Sequence, residues 1–199
     1  MNKAITLAMT GASGTAYGLR LLEQLILAHQ QVYFLISEPA RLVLDLEMGI
    51  KLPAQPTVIQ EILSERYQAE PEQLQVFGSK QWIAPIASGS SVPRAMVVCP
   101  CTSSTLATIA NGLSQNLLER AADVILKERR KLILVHRETP LSAIHLENML
   151  RLTNMGTLIL PANPGFYNKP QTIDDIVDFV VARICDHLEV KHNLSKRWG

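Results

Sequence analysis

Aromatic residues are scarce in this sequence, and an excess of charge of either sign is absent. The 199 residues include four Phe, four Tyr and two Trp, which is little material for stacking nucleic-acid bases. The formal net charge is +1, so no overall basic field attracts nucleic acid or an anionic membrane surface. We therefore expect no nucleic-acid partner.

Cysteines and long apolar runs are also few. Cys99, Cys101 and Cys185 form an odd set without a secretory leader, which predicts a reducing, cytoplasmic environment. Cys99 and Cys101 are two positions apart with no second pair, so their spacing fits neither a zinc site nor a C-x-x-C redox motif. No apolar run reaches about 20 residues, and we therefore expect no membrane span.

Short apolar runs alternate with helical patterns along the whole chain. The runs are predicted to be strands at residues 4–9, 31–37, 74–77, 95–99, 132–135 and 157–160. The helices are predicted at residues 39–47, 57–67, 106–111, 116–129, 141–154 and 172–188, after a first helix that follows residue 14. This alternation predicts an α/β fold with a central parallel sheet covered on both faces. The length favours a single domain over residues 1–199, with a polar tail from about residue 189.

The turn at residues 10–14, Thr-Gly-Ala-Ser-Gly, joins the first strand to the first helix. A helix N-terminus with nearby glycines favours an anion, so we expect either a phosphate site or a purely structural turn. The dinucleotide fingerprint would need glycine at Ser13 and Ala16, and no Gly-Lys-Ser/Thr sequence occurs, so neither an NAD site nor a Walker A loop is predicted.

Two later loops also follow predicted strands, where ligands bind in parallel α/β sheets. Pro100 and Cys101 precede four hydroxyl residues, Thr102 to Thr105, which would either cap a helix or hold an oxygen-rich ligand. Arg137-Glu138 is a charged pair directly after a buried strand, and we interpret it as functional. The basic run at residues 127–131 is typical of a solvated helix end that complements the helix dipole.

Two apparent metal motifs have simpler interpretations. Asp174, Asp175 and Asp178 match the D-x-x-D core of magnesium-dependent prenyl diphosphate chemistry, but we reject that interpretation, because Thr172 and these acids suit a helix N-terminus. No second aspartate-rich segment is present. The five histidines lack metal-binding spacing, and we interpret each as structural. No metal site is predicted.

Several motifs together closely resemble the UbiX-type flavin prenyltransferases of the flavin-containing Cys decarboxylase superfamily. The likeness extends from about residue 5 to residue 198, and it is carried by residues 10–14, 88–90, 100–102, 119–130, 137–140 and 164–167. The run at 119–130 and the Arg-Glu-x-Pro sequence at 137–140 are specific to that family. The Gly-Ala-Ser-Gly turn also fits related flavoproteins.

The resemblance implies a flavodoxin-like, three-layer fold of the Rossmann-like type, assembled as a homo-oligomer, often a dodecamer. It implies metal-independent transfer of a dimethylallyl group from dimethylallyl monophosphate to reduced FMN. The product, prenylated FMN, would serve UbiD-type decarboxylases, including one in ubiquinone biosynthesis. An FMN-dependent Cys decarboxylase and a non-catalytic flavin carrier are the alternatives.

The resemblance also implies roles for individual residues. The FMN site would comprise small or hydroxyl residues and one arginine: Gly11, Ala12, Ser13, Ser37, Thr102, Ser103, Ser104, Thr105 and Arg137. The dimethylallyl phosphate site would comprise Tyr167, Arg183, Lys127, Arg137 and Glu138. The implied catalytic residues are Glu138, Lys127, Glu47, Ser13, Trp82, Trp198 and Arg120.

These residue types suit the implied chemistry. The cations and the Tyr167 hydroxyl would neutralise a departing phosphate, and the face of Trp82 would stabilise an allylic cation. Glu138 would move a proton between the flavin and the phosphate. The flavin is itself the nucleophile, so Cys101 is expected to be a packing residue.

Overall fold

A computed structural model describes residues 3–195 as an alternation of strands and helices. The strands are β1 Ile5–Met9, β2 Val32–Ile36, β3 Leu74–Phe77, β4 Ala95–Cys101, β5 Lys131–His136 and β6 Leu158–Ile159. The helices are α1 Thr15–Leu27, α2 Glu38–Met48, α3 Pro56–Tyr67, α4 Ser103–Ala110, α5 Leu117–Lys127, α6 Ala143–Asn154 and α7 Ile173–Leu188. Trp198, which we predicted to line the active site, lies outside the described residues.

All strand pairs are parallel, and the sheet order is β3-β2-β1-β4-β5-β6. From β1 the chain proceeds outward to β2 and β3, then returns to place β4 on the other side of β1. The switch in strand order therefore lies between β1 and β4, and a crevice opens there beyond the carboxyl ends of the strands. The prediction of a parallel α/β sheet is confirmed.

Two hydrophobic cores cover the two faces of the sheet. Successive side chains of a strand point to opposite faces, so neighbouring residues at β1 belong to different cores. Ile5, Leu7 and Met9 belong to one core, whereas Ala8 and Ala4, the residue before β1, belong to the other. The first core includes side chains of α1, α2, α3 and α7, and the second includes side chains of α4, α5 and α6. The result is the three-layer arrangement that the resemblance implied.

The largest difference from the predicted elements concerns α4, which begins at Ser103 rather than at residue 106. Thr102 is its N-cap, and the Thr102 hydroxyl accepts a hydrogen bond from the Thr105 amide. Serines and threonines have low helix propensity, so the apolar pattern placed the start too late. Three hydroxyl residues predicted in a loop, Ser103, Ser104 and Thr105, therefore occupy the first turn of a helix.

The N-terminus of α7 settles the interpretation of its acidic residues. Thr172 and Asp175 form a reciprocal capping box, in which each side chain accepts a hydrogen bond from the backbone amide of the other. Asp178 pairs with Arg20 on α1 at 2.7 Å. Within residues 3–195, no group of three acidic, histidine or cysteine side chains is arranged to hold a metal ion. No helix in the same range is both long and apolar enough to cross a membrane.

Candidate active site

The turn after β1 places a carboxylate of the protein itself at the N-terminus of α1. Glu47 of α2 accepts hydrogen bonds from the Gly14 amide at 3.0 Å, the Thr15 amide at 2.9 Å and the Thr15 hydroxyl at 2.7 Å. Partial burial opposes the charged form of Glu47, but these bonds and one from Ser13 outweigh it and lower the pKa of the carboxyl. The anion at this helix end is thus Glu47, where we had expected either a phosphate or a structural turn.

The glycines of this turn serve the backbone and its packing. Gly14 has φ +102°, in the left-handed region that other residues rarely adopt. A Cβ atom on Gly11 would lie 2.5 Å from Cβ of Pro39, at the start of α2. Gly11 is therefore required for the close approach of the turn to α2, whether or not a ligand is bound.

The ends of β1 and β4 are joined by Thr10. Its hydroxyl donates to the Pro100 carbonyl at 2.9 Å and accepts from the Thr102 amide at 2.9 Å. The Thr10 side chain is buried, so these two bonds satisfy a polar group that would otherwise be costly to bury. They fix the N-terminus of α4 beside the turn that follows β1.

A cavity of about 330 Å³ opens at this junction. Hydroxyl side chains line one part of it, and the start of α5 closes another. The lining residues are Thr10, Gly11, Leu35, Ile36, Ser37, Glu38, Pro39, Ser79, Thr102, Ser104, Thr105, Asn116, Leu118 and Glu119. Five of the predicted FMN contacts, Gly11, Ser37, Thr102, Ser104 and Thr105, are among them. The structure therefore brings these five together from the segments that follow β1, β2 and β4.

Beside the cavity, the end of β5 carries Arg137 and Glu138. The Glu138 carboxylate accepts from the Ser103 hydroxyl at 3.1 Å and from the Thr139 amide at 3.2 Å. These hydrogen bonds, led by the one from Ser103, lower the pKa of Glu138 and keep it ionised at neutral pH. Nε of Arg137 is buried and has no hydrogen-bond partner among residues 3–195.

His136, the residue before Arg137, also contributes to this end of the sheet, although we had interpreted it as structural. This histidine is 2% exposed, and its Nε2 lies 3.0 Å from the Ser103 hydroxyl. Burial, with smaller contributions from His145 and Arg137, lowers its pKa and keeps the ring neutral. Its position at the end of a buried strand was the available signal, but the search for metal spacing passed over it. Asn116 and Glu119 of the cavity wall were also not singled out.

Lys127 lies on another part of the molecule. The Leu117 amide at the start of α5 bonds to the Ser79 carbonyl near the carboxyl edge of the sheet, whereas Lys127 ends the helix, just before β5 begins at Lys131. The 11 residues of α5 span roughly 16 Å. Lys127 therefore lies toward the opposite, amino edge of the sheet.

The residues around Lys127 form a separate cluster, which we call the α5 cluster and define as Ser88, Gly89, Arg120, Lys127 and Glu128. Lys127 pairs with Glu128, and a Cβ on Gly89 would lie 2.8 Å from Lys127 Nζ. Nε of Arg120 donates to the Ala87 carbonyl at 3.1 Å. The Ser-Gly-Ser motif at residues 88–90 is thus packed against Lys127 and does not line the cavity.

The remaining predicted residues are dispersed. Tyr167 follows β6 and packs edge-on against Phe179, with the ring centroids 5.6 Å apart. Arg183 lies on the outer side of α7, where it pairs with Asp186 at 2.8 Å. Trp82 follows β3 at the edge of the sheet and is 47% exposed. Within the described chain, none of these three side chains lines the cavity.

The cysteines do not contribute to the site. Cys99, Cys101 and Cys185 are free thiols in the core. Burial raises the pKa of Cys101 to about 12, so its thiol stays protonated and unreactive at neutral pH. The expectation that Cys101 is a packing residue agrees with this environment.

Comparisons with known proteins identify a family and individual proteins that this chain resembles. A family model described as Flavoprotein matches residues 1–185. The chain is 56% identical over 195 residues to the flavin prenyltransferase UbiX of Pseudomonas aeruginosa, covering 98% of this chain and 93% of that protein.

Two solved structures of UbiX-type proteins are also similar to this chain. The crystal structure of AnUbiX (PadA1), in complex with FMN and dimethylallyl pyrophosphate, has a TM-score of 0.88 at 36% identity and covers 100% of this chain and 98% of that one. A dodecameric FMN-dependent UbiX-like decarboxylase from Escherichia coli O157:H7 has a TM-score of 0.87 at 38% identity, covering 98% and 99%. Both matches span nearly the full length of each chain.

Proposed function

Because the chain belongs to the flavoprotein family and, within it, to the UbiX flavin prenyltransferases, we propose that it transfers a dimethylallyl group from dimethylallyl monophosphate to reduced FMN. The observation that carries this proposal is the junction of β1, β4 and β5. There a cavity lined by hydroxyls and a helix N-terminus lies beside the Arg137-Glu138 pair.

The residues at this junction fit FMN. The first turn of α4 offers backbone amides that have no intrahelical acceptor, together with the Ser104 and Thr105 hydroxyls, and this combination suits a phosphate monoester. The buried Nε of Arg137 lacks an acceptor within residues 3–195, as expected for a group that binds an anionic or oxygen-rich ligand. Ser37 and the start of α2 provide the opposite wall.

The transfer breaks the C–O bond between the dimethylallyl group and phosphate, and the phosphate departs with the bonding electrons. Reduced FMN would supply the nucleophile that forms the new bond to the dimethylallyl carbon, so the chain needs no serine or cysteine nucleophile. Glu138 is ionised and oriented by Ser103 and the Thr139 amide, which prepares it to accept a proton and return it to the departing phosphate. Arg137 offsets negative charge in the same place.

A second copy of the chain is needed to complete the donor site. Lys127 lies toward the amino edge of the sheet, and Arg183 lies on α7 in the opposite layer, so one chain does not bring them to Glu138. We assign these cations, with Tyr167, to a dimethylallyl phosphate site that forms where copies meet. The dodecameric state of the E. coli relative is consistent with such an assembly, and we propose a homo-oligomer, with a dodecamer as its expected size.

The product, prenylated FMN, is proposed to serve UbiD-type decarboxylases, one of them in ubiquinone biosynthesis. The three free, buried thiols are compatible with a cytoplasmic location. Residues 1–199 are proposed to act as one flavoprotein domain with a short tail from about residue 189.

Anaerobic incubation with reduced FMN and dimethylallyl monophosphate tests the proposal. Mass spectrometry of the extracted flavin should show a gain of one C5 unit, together with release of inorganic phosphate. A parallel reaction with the pyrophosphate, the ligand of the AnUbiX structure, identifies the preferred donor. An unchanged flavin mass with both donors would refute the prenyltransferase assignment and leave the decarboxylase and carrier alternatives.

A further inference from the structure

A chain of three side chains connects the hydrophobic core to Glu138. His136 Nε2 lies 3.0 Å from Ser103 Oγ, and Ser103 Oγ lies 3.1 Å from Glu138 Oε2. His136 is buried at the end of β5, Ser103 is in the first turn of α4, and Glu138 is exposed. The end of β5, with the loop that follows it, and the N-terminus of α4 thus converge on one hydrogen-bonded line.

The direction of this line follows from its single serine proton. An ionised Glu138 can only accept, so the Ser103 hydroxyl must donate to Glu138 Oε2. The oxygen of Ser103 is then left as an acceptor toward His136. A neutral imidazole that faces an acceptor must present its N–H there, which places the hydrogen on Nε2 and leaves Nδ1 bare.

We propose that His136 is a positioning residue whose Nε2–H donates to Ser103 Oγ and so fixes the Ser103 hydroxyl as a donor to Glu138 Oε2. While Nε2 keeps its hydrogen, the Ser103 hydroxyl cannot turn to donate to His136, because the ring offers it no acceptor there. A proton captured by Glu138 is therefore directed to Oε1, away from Ser103. The relevance of this to turnover rests on the proposed function, whereas the hydrogen-bond direction does not.

Other charged or titratable groups face this line and act on it. Arg137, on the same strand end, favours the ionised form of Glu138 and the neutral form of His136. The ring centroid of His145, on α6, lies 6.1 Å from that of His136. His145 also favours the neutral form of His136 by lowering its pKa. Cys101 pairs with His136 across the β4–β5 register and remains a neutral thiol, because burial raises its pKa to about 12. Glu138 is the group that favours a charged His136.

The tautomer can be measured without any substrate or variant that changes the fold. Magic-angle-spinning NMR of the oligomer with ¹⁵N-labelled histidine, at pH 7.5, should show His136 with a protonated Nε2 and a bare Nδ1. His136→Gln identifies the resonance by its loss. A hydrogen on Nδ1 alone, or an imidazolium, would overturn the proposal. This result does not depend on whether the chain is a prenyltransferase.

The functional consequence is tested by the pKa of Glu138. In ¹³C-glutamate-labelled protein, with Glu138→Gln for assignment, His136→Leu should raise that pKa by about one unit, because Ser103 is no longer fixed as a donor. His136→Gln, whose amide NH₂ reaches the position of Nε2, should keep it within about 0.3 units. His29→Gln is the matched control, because His29 is exposed and pairs with Glu70 away from the site.

If turnover is established, the acid limb of kcat/KM should move upward by the same amount in His136→Leu and stay in place in His136→Gln. Equal pKa values for Glu138 in His136→Leu and His136→Gln would overturn the positioning role. Should His136→Leu fail to fold, the tautomer of the wild-type protein decides the positioning role, because a bare Nε2 would leave His136 unable to donate to Ser103. Absence of turnover with the expected tautomer and pKa changes would count against the proposed function only.

Discussion

The carboxyl edge of the sheet and the α5 cluster both carry residues suited to phosphate, but they are built differently. At the carboxyl edge, Thr10 and Ser103 are each hydrogen-bonded to partners in another element, and the cavity walls come from several loops of one chain. In the α5 cluster, Lys127 is exposed and pairs with the adjacent Glu128. The first region is preorganised within one chain, whereas the second is, in our proposal, a half-site that a neighbouring copy completes.

The largest expected effect that separates the two regions comes from Lys127→Ala. Loss of a cation that stabilises the departing phosphate should reduce turnover roughly 100- to 1000-fold. FMN affinity should stay within about twofold, because Lys127 lies toward the opposite edge of the sheet from the cavity. Rapid-quench assays and fluorescence titration of FMN measure the two quantities. A matched loss of FMN would show that Lys127 belongs to the flavin site, contrary to our assignment.

Mixed oligomers test directly whether Lys127 and Arg137 of one active site come from different chains. Oligomers assembled from equal amounts of Lys127→Ala and Arg137→Ala chains should recover roughly a quarter of wild-type turnover, because some sites then receive both cations from intact copies. Each variant alone should remain nearly inactive. Subunits are mixed by co-expression with two affinity tags and purified through both. No recovery in doubly tagged oligomers would mean that one chain supplies both residues.

Arg137→Ala should weaken FMN binding, since Arg137 directly follows β5 and its buried Nε has no partner in residues 3–195. Loss of one charge-assisted hydrogen bond corresponds to roughly a tenfold to hundredfold change in Kd. Equilibrium titration measures it, and Arg183→Ala is the control for removing an arginine outside the cavity. Unchanged FMN affinity in Arg137→Ala would assign Arg137 to the donor phosphate alone.

The smallest expected effect concerns Glu47, the carboxylate that caps α1 next to the cavity. The pKa of Glu47 is lower in the folded protein than in the unfolded chain. Its contribution to the stability of the fold is therefore complete above the unfolded-state pKa and is lost as the pH falls through the folded-state pKa. Glu47→Gln should lower Tm by about 2–4 °C at pH 7, as expected for a weakened helix cap in a chain of this size.

The difference in Tm should shrink at acidic pH, where Glu47 of the wild type is protonated. Differential scanning fluorimetry at matched protein concentration, from pH 3 to 8, measures it. Glu38→Gln is the control, because Glu38 lies in the first turn of α2 and accepts no bond from the turn that precedes α1. A difference in Tm that does not vary with pH would contradict the proposed cap.

The predicted sheet was confirmed because buried parallel strands are continuously apolar, and the runs at β1, β2 and β4 are unmistakable in sequence. The start of α4 was predicted too late, since hydroxyl residues favour caps and turns in an isolated sequence. The cavity contacts Ser37, Thr102 and Thr105 were named by family resemblance, and the residues' own pattern left capping and ligand binding open. His136 was missed because its partner Ser103 is 33 positions away.

Local pattern thus sufficed for the alternation of elements and for placing Thr10, Pro100 and Arg137 at strand ends, because apolar periodicity depends on neighbouring residues. Only tertiary structure decided which group occupies the N-terminus of α1. Glu47 reaches the N-terminus of α1 from 32 positions away in sequence, and Thr102 caps α4 beside Thr10. The same packing separates Lys127 from Glu138. Hydrogen bonds and burial between distant segments depend on three-dimensional approach, which no local pattern encodes.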